Sequence, residues 1–131
     1  MDDVAVRFEL RKGKKELERI IGRPVFCSAV PGWRCTDTVL LEKEHLGFQY
    51  NSDCRGHAVF YPKVKDRCLS QPQVPVTLPT YDELIGRNGI NDTTYNDHLL
   101  SLILPDRLNV LTIHAEAEGI ICLGMFEDFL K

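Results

Sequence analysis

VAVRFEL, Val4 to Leu10, is the stretch on which the fold turns. Val4, Val6, Phe8 and Leu10 alternate with Ala5, Arg7 and Glu9, the period of two expected of a strand with one buried and one wet face. Gly13 then interrupts the pattern, and Leu17, Ile20 and Ile21 recur at helical spacing until Gly22 and Pro24. The reading is a first strand over 4–10 followed by a short helix over 14–21.

Working outward from that strand, residues 24–30 and 33–41 are rich in β-formers and flank Pro31-Gly32, which suits the centre of a type II turn. A hairpin with that turn sets Cys27 opposite Thr36 and Cys35 opposite Ser28, on different faces, so the two thiols are not expected to form a disulfide. Residues 46–50 and 57–61 are two further strands around the loop Asn51-Ser-Asp-Cys-Arg-Gly56. Pro72, Pro75 and Pro79 mark 63–79 as an extended crossing. Thr80-Tyr-Asp-Glu83 has the form of a capping box opening a short helix. Asn91 or Asp92 caps a longer one, with Tyr95, Leu99, Leu102 and Ile103 on one face until Pro105. Residues 108–115 and 120–126 carry apolar side chains of both parities, the texture of central strands, and make a third hairpin around Glu116-Ala-Glu-Gly119. The expectation is a single α+β domain over residues 1–131. Its mainly antiparallel sheet has about seven strands in hairpins, packed with two to three helices.

Composition bounds the function. The 131 residues are 44% hydrophobic and 27% charged with a net charge of −3, as in ordinary soluble proteins, which gives no bulk affinity for nucleic acid. Charge is graded along the chain: residues 1–35 carry eight Lys and Arg against five Asp and Glu, and residues 69–131 carry three against nine. The basic cluster Arg7, Arg11, Lys12, Lys14, Lys15 and Arg19 reads as the wet side of the first strand and helix rather than a nucleic-acid surface. No apolar run reaches the ~18 residues of a membrane span, and the acidic N-terminus is unlike a secretory signal. The expected location is cytoplasmic, with no membrane partner. Five cysteines in no regular framework fit reduced thiols.

The sharpest chemistry is Cys54-Arg-Gly-His57, a thiol and an imidazole at i and i+3 of a turn, with Arg55 placed to favour the thiolate. These two are the catalytic candidates. A metal site would draw on Cys35, Cys54, His57 and Cys68, with His45 in reserve; only Cys54 and His57 have the close spacing zinc favours, so no metal and no cofactor are expected. His98 and His114 read as ordinary hydrogen-bonded side chains, and Glu116 and Glu118 as solvated turn carboxylates. Gly86-Arg-Asn-Gly89 lacks the spacing of a phosphate-binding loop. These features favour a small cytoplasmic binding protein without catalytic activity. It would act as a homodimer or present its acidic C-terminal half to a protein partner. The alternative is a small enzyme or ligand-binding domain with a pocket between sheet and helix, using Cys54 and His57.

Overall fold

The computed structural model describes Asp2 to Lys131 and is mostly helical, with two sheets of two short strands each among the described residues. The expected seven-stranded antiparallel sheet is not formed. The chain divides into two compact units, one ending at Pro75 and the other running from Val76 to Lys131. No helix among the described residues is long and apolar enough to cross a membrane.

The first unit opens with α1, Asp3–Ile21, where a strand, a break and a short helix were expected. VAVRFEL fits both periods, because Val6 and Leu10 are also one helical turn apart. Three things outside it decide for the helix. The Asp2 carboxylate caps the Ala5 N–H at 2.8 Å. The stripe started by Val6 and Leu10 continues to Leu17. Between these lie strong helix formers, Glu, Leu, Arg and Lys. Gly22 ends the helix in the left-handed region, its N–H donating to the Glu18 carbonyl at 2.9 Å.

β1, Cys27–Ser28, is followed by a 3-10 turn at Pro31–Trp33 rather than a hairpin. Gly32 and Trp33 both have positive φ, 59° and 54°, so the chain is led away from β1 and no Cys27–Thr36 pair forms. It enters α2, Asp37–His45, in place of the expected strand over 33–41. Thr36 caps the Val39 N–H at 3.3 Å, Asp37 lies in the first turn, and Lys43 and His45 in the last, so α2 is signalled at both ends. β2, Tyr50–Asn51, then runs parallel to β1, with Cys27 opposite Tyr50 and Ser28 opposite Asn51. This is the register a helical crossover produces and a hairpin cannot. Asn51 also bridges Gln73 in parallel, and β3, Lys63–Val64, forms a small antiparallel hairpin with β4, Arg67–Cys68.

The second unit is built on Leu78, Ile90, Tyr95 and Leu99, all buried, with Tyr81, Leu84, Ile103, Leu111, Met125 and Phe129 packed against them. The capping box at Thr80 is present and opens α3, Tyr81–Leu84; the Glu83 carboxylate accepts the Thr80 N–H at 2.9 Å. α4, Tyr95–Leu102, also forms where its spacing placed it, with Tyr95 and Leu99 inward. Its N-cap is Thr94, because Asn91 is occupied in the preceding turn, accepting the Thr93 N–H at 3.0 Å. The expected third hairpin is absent. Residues 108–114 form no strand or helix and lie beside Thr77 and Leu78, whose N–H groups both donate to the Val110 carbonyl at 3.1 Å. Residues 120–126 fall in a π-helical turn, Ala117–Ile121, and in α5, Leu123–Phe129. Met125 and Phe129 are one helical turn apart and both reach the core, which an alternating strand would not achieve.

Candidate active site

Each unit holds one polar cluster, the first withdrawn from water and the second partly exposed. In the first, Asp53 is 1% exposed and collects three donors: Lys43 Nζ at 2.5 Å, the Val30 N–H at 2.9 Å and Gln73 Nε2 at 3.0 Å. Its own N–H donates to Gln73 Oε1 at 2.9 Å. Gln71 extends the network, donating to the Lys43 carbonyl and accepting from Asn51 Nδ2, each at 3.0 Å. Asp53 therefore spends its acceptor capacity on holding α2, the β1 end and residues 71–73 around the loop. That closure suits a scaffold and leaves little for a substrate.

The sequence candidates surround this scaffold. Burial, and then the Asp53 carboxylate, raise the Cys54 thiol. The same two influences push Cys35 up to about 11. Neither thiol is activated as a nucleophile. Arg55 stacks its guanidinium over Trp33, 4.3 Å from the ring centroid, and is absent from the influences on Cys54. His57 is exposed, and no hydrogen bond among the described residues joins it to Cys54. Cys68 is exposed on β4, and His45 lies at the end of α2 beside Arg7, Arg11 and Glu42. Cys35, Cys54, His57 and Cys68 are not gathered: among the described residues no group of three or more His, Cys, Asp or Glu side chains is arranged to hold a metal ion.

The second cluster centres on His114, which lies at the end of the segment over 108–114. Its Nδ1 is 3.9 Å from Asp82 Oδ1, an ion-pair distance when the imidazole is protonated. Asp82 belongs to the first turn of α3, where Thr80 Oγ1 donates to the same carboxylate oxygen at 2.6 Å. This bond, first among several influences that include His114, holds the Asp82 carboxyl below its ordinary value. The capping box thus does two jobs: it starts α3 and aims a carboxylate at an imidazole. The His114 side chain remains 43% exposed and that of Asp82 71% exposed.

The Glu118 carboxylate is buried, and its Oε2 accepts the His114 backbone N–H at 2.8 Å. Tyr95 is a buried core residue; burial first, and then Glu118, push its phenol up to about 12. Tyr81 Oη donates to Asp92 Oδ1 at 2.6 Å, and that bond raises its phenol to about 12 as well. Burial and Glu118 likewise raise the Cys122 thiol. Sequence reasoning set His114 aside as an ordinary side chain and Glu118 as solvated. The signals that could have found them were the capping box, which fixes Asp82 on a first turn, and the His-to-Glu spacing of four.

No family model matches the chain. It is 48% identical over 130 residues, 99% of its length, to a protein of Shewanella sediminis (strain HAW-EB3) named probable 4-deoxy-4-formamido-L-arabinose-phosphoundecaprenol deformylase ArnD. It is 45% identical over 123 residues, 91% of its length, to a protein of the same name from Wigglesworthia glossinidia brevipalpis. The chain spans 41% and 42% of these curated relatives. Both are named as enzymes, which overturns the expectation of a non-catalytic protein acting by self-association or through an acidic face.

Proposed function

We propose that this chain contributes the proton-transfer residues of a deformylase, acting on the formamido group of a sugar carried by a polyprenyl phosphate. The relatives' names supply the reaction class. The observation that carries the reading is the pairing of His114 with Asp82.

Deformylation hydrolyses the N–CHO bond of a formamide. Water adds to the formyl carbon, the C–N bond of the tetrahedral intermediate breaks, and formate and an amine leave. The amine is a poor leaving group unless its nitrogen gains a proton as the bond breaks. His114 suits that step, because an imidazole can carry a proton near neutral pH and deliver it. With Nδ1 turned to Asp82, Nε2 is the atom left for the leaving nitrogen. Asp82 faces the Nδ1 side of the ring, and the Thr80 hydroxyl holds Asp82 there. The partial exposure of His114 admits a sugar without demanding an enclosed cavity.

The test is formate release from the formamido-sugar polyprenyl phosphate by the purified chain. His114→Gln is expected to lower the rate about 10²- to 10⁴-fold, the usual worth of a positioned acid. Asp82→Asn should give a smaller loss. Absence of formate with the native chain, or undiminished release by His114→Gln, would overturn the reading.

A further inference from the structure

We infer that Glu118 is a positioning residue for His114, gripping the histidine's backbone from both sides. The inference rests on the reading of His114 as the proton donor.

Glu118 is 1% exposed although it lies in a turn rich in acidic residues, and its neighbour Glu116 is exposed. Its Oε2 accepts the His114 N–H at 2.8 Å while its own N–H donates to the His114 carbonyl at 3.0 Å. The Ala117 N–H donates to that carbonyl as well, at 3.1 Å. Both polar groups of the His114 backbone are thus satisfied from one turn. The imidazole has a fixed origin from which to reach Asp82.

A buried carboxylate is an expensive way to close a turn, because an ionised group withdrawn from water must be repaid by hydrogen bonds. An asparagine or a water would satisfy one N–H at lower cost. Glu118 also has a second oxygen, Oε1, that is buried without a partner, and Tyr95 Oη is buried without a partner as well. Glu118 is the largest charged influence on the Tyr95 phenol.

The experiment follows the His114 amide by hydrogen exchange in the full chain, beside kcat and KM for formate release. Glu118→Ala is expected to speed exchange at His114 about 10- to 100-fold, as expected for losing a bond to a charged acceptor. Exchange at Leu99, in the core, should keep its native rate, and kcat should fall with little change in KM. Glu118→Gln keeps an oxygen that can accept the same N–H and is expected to restore most of the protection and of kcat. Should Glu118→Ala fail to fold, Glu118→Met, which keeps the length of the side chain but has no oxygen to accept the His114 N–H, carries the test with the same expected loosening while Leu99 stays protected. Native exchange at His114 in Glu118→Ala, or Glu118→Gln behaving like the alanine variant, overturns the inference. If His114→Gln retains formate release but Glu118→Ala still frees the His114 amide, the proton-donor reading fails while the grip on His114 stands.

Discussion

Lys43 and Asp53 meet with Nζ and Oδ1 2.5 Å apart, the lysine 0% and the aspartate 1% exposed. A pair so completely withdrawn from water is a poor source of net stability but a strong constraint, because removing one member strands the other's charge. Asp53→Ala is expected to destabilise the chain by about 3–5 kcal/mol in urea denaturation. Lys43→Met should cost less, since the Val30 N–H and Gln73 Nε2 still serve the carboxylate. The double variant Lys43→Met, Asp53→Leu should be more stable than Asp53→Ala alone. A loss below about 1 kcal/mol for Asp53→Ala would mean that water reaches the pair.

Acid should unfold the protein through carboxylates held below their ordinary values. Glu42 is lowered first by its bond to Arg11, Glu44 by the Ser70 N–H and then Arg67, and Asp82 by the Thr80 hydroxyl. Groups depressed in the folded state bind fewer protons there than in the unfolded chain. Their stabilisation is complete above the ordinary values of 4.5 and 3.8 and is lost as pH falls through the folded ones. The melting temperature should therefore hold from about pH 7 to 5 and drop below, with a shallower acid limb in Glu42→Gln. A melting temperature that rises on acidification would contradict these assignments.

What could be read in advance was whatever is decided by neighbours in sequence. The capping box at Thr80 and Glu83 needs only those residues, and the inward pair Tyr95 and Leu99 needs only one helical turn; both were legible. VAVRFEL was not, because its alternation is compatible with two periods and the deciding residues, Asp2 and Leu17, lie outside it. Residues 120–126 have strand composition, yet the turn before them is shaped by the buried Glu118 carboxylate, and burial is a tertiary fact. The site was hidden for the same reason. His114 gains its chemistry from Asp82, distant in sequence, whereas Cys54 and His57 stand close in sequence and gain nothing from it.

The thiols should separate by environment when alkylated under native conditions. Cys27 and Cys68 are exposed and should be labelled first. Cys35, raised to about 11 from an ordinary 9.0, should react roughly 100-fold more slowly at pH 8 on thiolate fraction alone. Cys122 is buried and should be among the last to react. Mass spectrometry of the alkylated peptides reads the order, and early labelling of Cys35 would show that its burial is not maintained in solution.

Glycine substitutions test the largest departure from the sequence reading, the continuity of α1. Gly13 looked like the break between a strand and a helix, but α1 passes through it from Asp3 to Ile21. A Cβ built there meets nothing within 4 Å, and its φ is not in the left-handed region. In a helix interior glycine costs about 1 kcal/mol relative to alanine, through the backbone freedom it must surrender. Gly13→Ala is therefore expected to stabilise the chain by about 1 kcal/mol, read as a higher urea midpoint with an unchanged slope. Gly56 provides the opposite sign. A Cβ there falls 3.1 Å from Pro75 Cβ and 3.3 Å from Cγ, and Pro75 is a fully buried ring with no rotamer to yield. Gly56→Ala should cost about 1–3 kcal/mol, as overpacking does. If Gly13→Ala instead destabilises while Gly56→Ala behaves as expected, the helix does not run unbroken through residue 13.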